Sequence, residues 1–163
     1  MKKKKKKRKV KVVKNYQRLA RDLLLKVFYS YDHKGYDLKS ILEEYTSLKK
    51  VNQEVLNHAK KVINFFEENR EKVDELIKSH LEKWRFERLG YIERALLRIA
   101  FSELLMLKEE GKDNEFFIKR LILDTLDLVE CYTSSKESVK FVNGVLGRVS
   151  RELFKNYEDS IHI

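Results

Sequence analysis

A chain of 163 residues with 42% hydrophobic content can bury one good core or two small cooperating ones, which excludes wholesale disorder. Proline is absent and there are only five glycines, so the turn chemistry of a β-sandwich is scarce, and long helices joined by short polar links fit better. The net charge of +10 sits at one end: Lys2 to Arg21 holds 12 basic residues and no acidic one, leaving −2 for the rest, a segregation typical of polyanion binders.

Residues 1–14 form a low-complexity, Lys-rich basic arm. Its like charges repel and nothing in it builds a core, so it is expected to be disordered when alone. Lys9, Lys11 and Lys14 are candidate phosphate contacts within it. The arm does not lead a signal peptide, because Val12 and Val13 give way to Lys14, Asn15 and Gln17 instead of an apolar run.

From Asn15, a candidate N-cap, the residues Ala20, Leu23, Leu24, Val27, Phe28 and Tyr31 recur at helical spacing and mark a core face. A neighbouring stripe of Arg18, Arg21, Leu25 and Tyr29 begins basic and ends apolar. It reads either as a helix edge with snorkelling arginines or as a surface meeting nucleic acid at one end and a protein at the other. His33 to Tyr36 is a loop, and Asp37 caps a short helix over Leu38 to Leu48. Helices are then expected from Asn52 to Asn69 and from Lys72 to Leu81.

A corner at Trp84 to Gly90 leads into the most apolar helix, Tyr91 to Lys108, which should lie centrally. Its run from Ala95 to Leu107 is interrupted by Arg98, Ser102 and Glu103 and is too short to span a bilayer. Glu93 complements the helix N-terminus, and Arg98 needs a carboxylate, either Glu103 or one on another helix. After a polar loop, Glu115 to Tyr132 forms a helix with Phe117, Leu121 and Leu128 in one inward row and Ile118, Ile122, Thr125 and Val129 in another. Ser134 or Ser135 caps the last helix, whose core row is Val142, Val145, Leu146, Val149 and Leu153. The expected fold is all-α, with about seven helices.

No enzyme signature emerges. The four histidines share no metal-ligand spacing with one another or with Cys131, and Gly144 to Gly147 lacks a P-loop lysine. Paired acids read as solvated helix faces or loops. Cys131 lies near a helix C-terminus, which disfavours a thiolate, and as the only cysteine it suits a reducing cytosol. Gly144 and Gly147 each cost their helix about 1 kcal/mol relative to Ala, which close helix approach would offset. Phe141 lies one residue before the core row, about 100° around the helix. It is either half-buried or a stacking platform for a base beside Lys140, as in single-strand RNA binders.

Three strings taken together resemble the NusB family of transcription antitermination factors: Arg18 to Asp22 continuing to Val27 to Tyr31, Trp84 to Gly90 followed by Ile92 to Leu104, and Lys140 to Leu146. The resemblance covers about residues 15–155. It implies two small helical bundles packed together, about 15–82 and 83–158, in one domain over 15–163. It also implies binding of the single-stranded boxA element of nascent ribosomal RNA leaders with NusE, a ribosomal small-subunit protein, in an RNA polymerase antitermination complex of the bacterial cytoplasm. Carried over by position, Arg18, Arg21, Glu137 and Phe141 match the RNA path, and Tyr29, Glu87 and Glu93 match the NusE interface. Leu25 joins Tyr29 on the stripe read as partner-binding. The chain departs from the family in its longer Lys-dominated arm, in Leu19 at a commonly basic position, in Thr133 where Gly is common, and in a 109–114 loop without proline.

The expectation is therefore a non-catalytic RNA-binding adaptor without cofactor, metal or membrane. Alternatives are the RNA-binding appendage of an rRNA cytosine methyltransferase, for which the chain lacks room for a cofactor-binding domain, and a general basic RNA binder. A nuclear-localisation-like reading of Lys5 to Val10 is weaker still, since any lysine run produces it. Monomer and homodimer both remain open.

Overall fold

The computed structural model describes residues 15–83 and 85–158. Seven α-helices occur among them and no strand: α1 (Tyr16–Lys34), α2 (Leu38–Leu48), α3 (Gln53–Glu68), α4 (Arg70–Ser79), α5 (Tyr91–Glu109), α6 (Glu115–Thr133) and α7 (Lys136–Leu153). A single 3₁₀ turn, Phe86–Arg88, precedes α5. The basic arm with Lys9, Lys11 and Lys14, and Trp84, lie outside the described residues.

Short polar side chains set most helix starts. Asp37 accepts from the Ser40 amide, Asn52 from Glu54, Asn114 from Phe116 and Ser135 from Ser138, each satisfying a backbone donor that the first turn leaves open. Asn15 holds the N-cap position of α1 but makes no capping bond; its Oδ1 instead accepts from Arg120 Nη2 at 3.5 Å. Of the two serines after α6, Ser135 is the cap, while Ser134 takes a left-handed conformation that ends α6. The fourth helix begins two residues earlier than its spacing suggests. Asn69 closes α3 by donating its Nδ2 to Phe65 O at 2.9 Å, and its own carbonyl accepts from Val73 to open α4.

Helix α5 is the hub. It packs against α1, α3 and α4 on one side and α6 and α7 on the other, and every residue from Ala95 to Met106 is buried. A helix buried on all sides carries no solvated face for its polar residues, so Arg98 and Glu103 must find partners inside. Arg98 does so with acids of other helices, not with Glu103. Its Nε and Nη2 each donate to Asp74 at 3.0 Å, its Nη1 donates to Asp32 at 3.0 Å, and Arg94 also reaches Asp32 at 3.2 Å. Ser102 Oγ donates to the Arg98 carbonyl.

Glu103 anchors a second network. Arg21 of α1 donates from Nε at 2.8 Å and Nη2 at 3.2 Å to its two oxygens, a bidentate pair, and from Nη1 to Asp124 of α6 at 2.8 Å. His58 Nε2 of α3 lies 2.6 Å from Glu103 Oε1. One carboxylate thus joins α1, α3 and α5, and its partner arginine adds α6.

Elsewhere the core rows lie as their spacing requires: Ala20, Leu24, Val27 and Phe28 of α1, with Leu23 and Tyr31 half-buried, and Val142, Val145, Leu146 and Val149 of α7. One cluster of apolar side chains runs through all seven helices. Phe117 is the exception, as 43% of it is exposed although Leu121 and Leu128 of its row are buried. At Gly144 the expected close helix approach is absent: a Cβ there would meet only Arg148 Nη1, at 3.2 Å.

Burial alone would raise the Glu103 carboxyl, but Arg21 and His58 outweigh it and pull the pKa from 4.5 to about 2. The folded value is the lower one, so this stabilisation is present above pH 4.5 and is lost as pH falls toward 2. Glu103→Gln should cost about 3–5 kcal/mol, because Arg21 loses a buried counter-charge. Urea unfolding from pH 5 to pH 2 checks both points. The wild type should lose stability steeply and the variant less so; parallel pH profiles would show that Glu103 is not the titrating anchor.

Candidate nucleic-acid and partner interface

Three of the sequence-derived candidates meet in one place. Glu93 on the first turn of α5 and Glu137 and Phe141 on α7 line a cleft of about 190 Å³, together with Arg88, Leu89, Gly90, Ser135 and Ser138. Lys140, also on α7, is exposed beside Phe141. Phe141 is half-buried, its ring resting on the core while part of it faces outward. This is the half-buried reading.

The cleft exists because the chain narrows at Gly90. A Cβ there would lie 2.8 Å from Glu93 Oε2, so a larger residue would push that carboxylate away from the start of α5, where the helix dipole favours it. Ser138 Oγ lies 3.4 Å from the same oxygen and links α7 to it. Residues assigned by resemblance to RNA (Glu137, Phe141) and to a protein partner (Glu93) thus share one wall.

Tyr29 stands on another exposed cluster. Its ring packs on His33 at 4.3 Å, His33 on Tyr91 at 4.0 Å, and Arg94 sits over the Tyr91 ring at 5.1 Å. His33 Nδ1 lies 2.9 Å from the Tyr29 carbonyl, which fixes the ring orientation. Glu87, in the 3₁₀ turn before α5, is exposed. His33 and Tyr91 were not foreseen as companions of Tyr29. The only sequence signal is His33 one turn after it; Tyr91 joins through the fold.

Two candidates are corrected. Leu25 is only 1% exposed and belongs to the core between α1 and its neighbours, so it offers no partner surface. Arg21 is 7% exposed, and its three nitrogens are taken by Glu103 and Asp124. It holds the fold together and presents no guanidinium to a phosphate. The stripe that looked continuous is therefore broken in the middle, with Arg18 at one end and Tyr29 at the other. Arg18 is itself paired with Asp127 at 2.6 Å, but that carboxylate is exposed and can yield to a phosphate.

The acids that absorb these arginines, Asp124 and Asp127, sit three residues apart on α6 and so share a face. Their spacing within an apolar helix was the available signal. Tyr132 strengthens the same seam by donating to Asp22 at 2.7 Å; burial and then that carboxylate push its pKa up to about 12. Among the described residues no group of His, Cys, Asp and Glu side chains is arranged to hold a metal ion, and no helix is long and apolar enough to cross a membrane.

The chain is similar to the transcription antitermination protein NusB of Persephonella marina, with 36% identity over 136 residues that span 82% of this chain and 92% of that one. It is similar to NusB of Aquifex aeolicus at 34% identity, over 82% of this chain and 86% of that one. Among solved structures, a complex of antitermination factors NusB and NusE with dsRNA superposes with a TM-score of 0.72 at 32% identity, covering 85% of this chain and 98% of that one. T. maritima NusB also superposes with a TM-score of 0.72 at 32% identity, over 83% of this chain and 90% of that one. A model of the NusB family matches residues 18–151, and with these relatives it shows that the chain belongs to the NusB family.

Proposed function

We propose that this protein is a non-catalytic, RNA-binding transcription antitermination factor of the bacterial cytoplasm. It binds the single-stranded boxA element of nascent ribosomal RNA leaders together with NusE and so helps RNA polymerase resist termination. The observation that carries this reading is the cleft in which Phe141 and Glu137 of α7 stand against Glu93 of α5. An aromatic ring with an exposed lysine beside it can stack a base and hold its phosphate, while the carboxylates bias which base edges and which protein donors fit. The relative solved with both NusE and dsRNA supports a shared RNA and protein surface.

The roles divide by chemistry. Lys9, Lys11 and Lys14 supply affinity through phosphate contact, with Arg18 joining once it exchanges Asp127 for a phosphate. A lysine is a point charge without a bidentate fork, so the arm adds attraction more than sequence choice. Lys140 and Phe141 meet bases. Tyr29, Glu87 and Glu93 meet NusE, and the packed rings of His33 and Tyr91 hold Tyr29 in place.

Deleting residues 2–14 should weaken RNA binding to all sequences and flatten its dependence on salt. With about six phosphate contacts the intact protein should show a log–log slope of roughly −4 on single strands. Fluorescence anisotropy across a salt series measures it, and an unchanged slope after deletion would remove the arm from the interface. Phe141→Ala should weaken a boxA-type RNA by about tenfold while barely affecting a scrambled one. Equal losses on the two RNAs in a gel shift, with and without NusE, would reject base stacking at Phe141.

A further inference from the structure

A second cleft, of about 330 Å³, opens at the root of α1, on a different set of helices from the Phe141 cleft. Its size falls in the ~300–1,000 Å³ range of small-molecule sites. The floor is the Arg21–Glu103–His58 network described above. Tyr16, the first residue of α1, and Phe117 of α6 supply aromatic surface, and Lys61, Lys112 and Arg120 contribute cations. Glu110 is the carboxylate that answers Lys61 and Lys112. Arg120 is more than half exposed and is held only loosely, by Asn15 at 3.5 Å and Asp124 at 3.6 Å. With the floor paired internally, the rim keeps an excess of positive charge.

Phe117 is the decisive residue. It occupies an inward row of α6, yet it is 43% exposed because at its level the row faces this cleft instead of another helix. An uncovered aromatic on a core-facing row, within a cationic rim, is the arrangement that stacks a base and neutralises its phosphate. The cleft mouth also lies where the lysine arm joins the fold, since Tyr16 follows Lys14 by two residues.

We infer that the cleft at the root of α1 is a site for one nucleotide, its base on Phe117 and Tyr16 and its phosphate on Lys112 and Arg120, and that it takes a unit of the bound single-stranded RNA. This inference rests on the RNA-binding reading and adds a contact separate from Phe141.

The test uses the full chain and a labelled 15-nucleotide single-stranded RNA containing a boxA-type element, with 4-thiouridine substituted at successive positions. Phe117→Ala should weaken binding about tenfold, and Lys112→Ala with Arg120→Ala should weaken it while reducing the salt slope. All three positions are exposed, so unchanged thermal unfolding should accompany the loss. Photo-crosslinks from one end of the RNA should map to the peptides carrying Tyr16 or Phe117. Titration with adenosine 5′-monophosphate separates the two sources of a nucleotide. A Phe117→Ala loss seen with the monophosphate but not with RNA would overturn the RNA assignment. Wild-type RNA affinity in Phe117→Ala, with crosslinks confined to the Phe141 cleft, would overturn the site and leave the proposed function standing. An intact chain that binds no RNA would overturn both.

Discussion

A carboxylate buried in the middle of the most apolar helix sets the terms for the rest of this structure. Glu103 sits on α5, which has no solvated face along its central twelve residues. Leaving it unpaired there would cost several kcal/mol, so the helices around it must deliver cations. Arg21 of α1 does so, His58 of α3 adds a ring nitrogen 2.6 Å from the carboxylate, and Asp124 of α6 takes the remaining donor of Arg21. Apolar packing brings four helices together without dictating their register. The bidentate pair does dictate it, because a slip of one residue along α1 would swing Arg21 about 100° away from Glu103. The Arg98–Asp32–Asp74 network performs the same task toward α4.

This constraint reshapes the electrostatics of the surface. Folding consumes Arg21 outright and occupies Arg18 with Asp127, so the arginines of α1 are not a bare phosphate-binding edge. Among the described residues, Lys140 stays exposed on α7, and Lys61, Lys112 and Arg120 form a rim near the root of α1. Phe141 and Phe117 line two separate clefts, and Lys61, Lys112 and Arg120 line the second. The Tyr29–His33–Tyr91 cluster holds a cation of its own, Arg94 over the Tyr91 ring.

The helices were legible because periodicity and caps are local. Asp37 and Ser135 cap where their side-chain chemistry says they should, and Val142, Val145, Leu146 and Val149 of the α7 row are buried while Leu153 is half-buried. The misreadings share one cause. Leu25 and Arg21 lie on the same helical stripe as Tyr29, and helical spacing cannot say which part of a stripe another helix covers. Helix α6 covers the N-terminal half of α1 through Asp124, Asp127 and Tyr132, and the stripe becomes interior there. Phe117 errs in the opposite direction, apolar and in register with a core row but 43% exposed, its ring meeting Phe116 edge-on.

The sequence by itself determined the helical class, the order of the elements, the central place of α5 and the segregation of charge into the arm. Each of these depends on residue type and spacing over a few turns. Only the tertiary structure decided which charges are spent inside the fold and which remain for a ligand. It also decided that Glu93 meets Phe141, and that Phe117 overhangs a cleft at the root of α1. Those outcomes depend on contacts between residues 45 to more than 100 positions apart, whose pairing is set by how seven helices pack around one buried carboxylate.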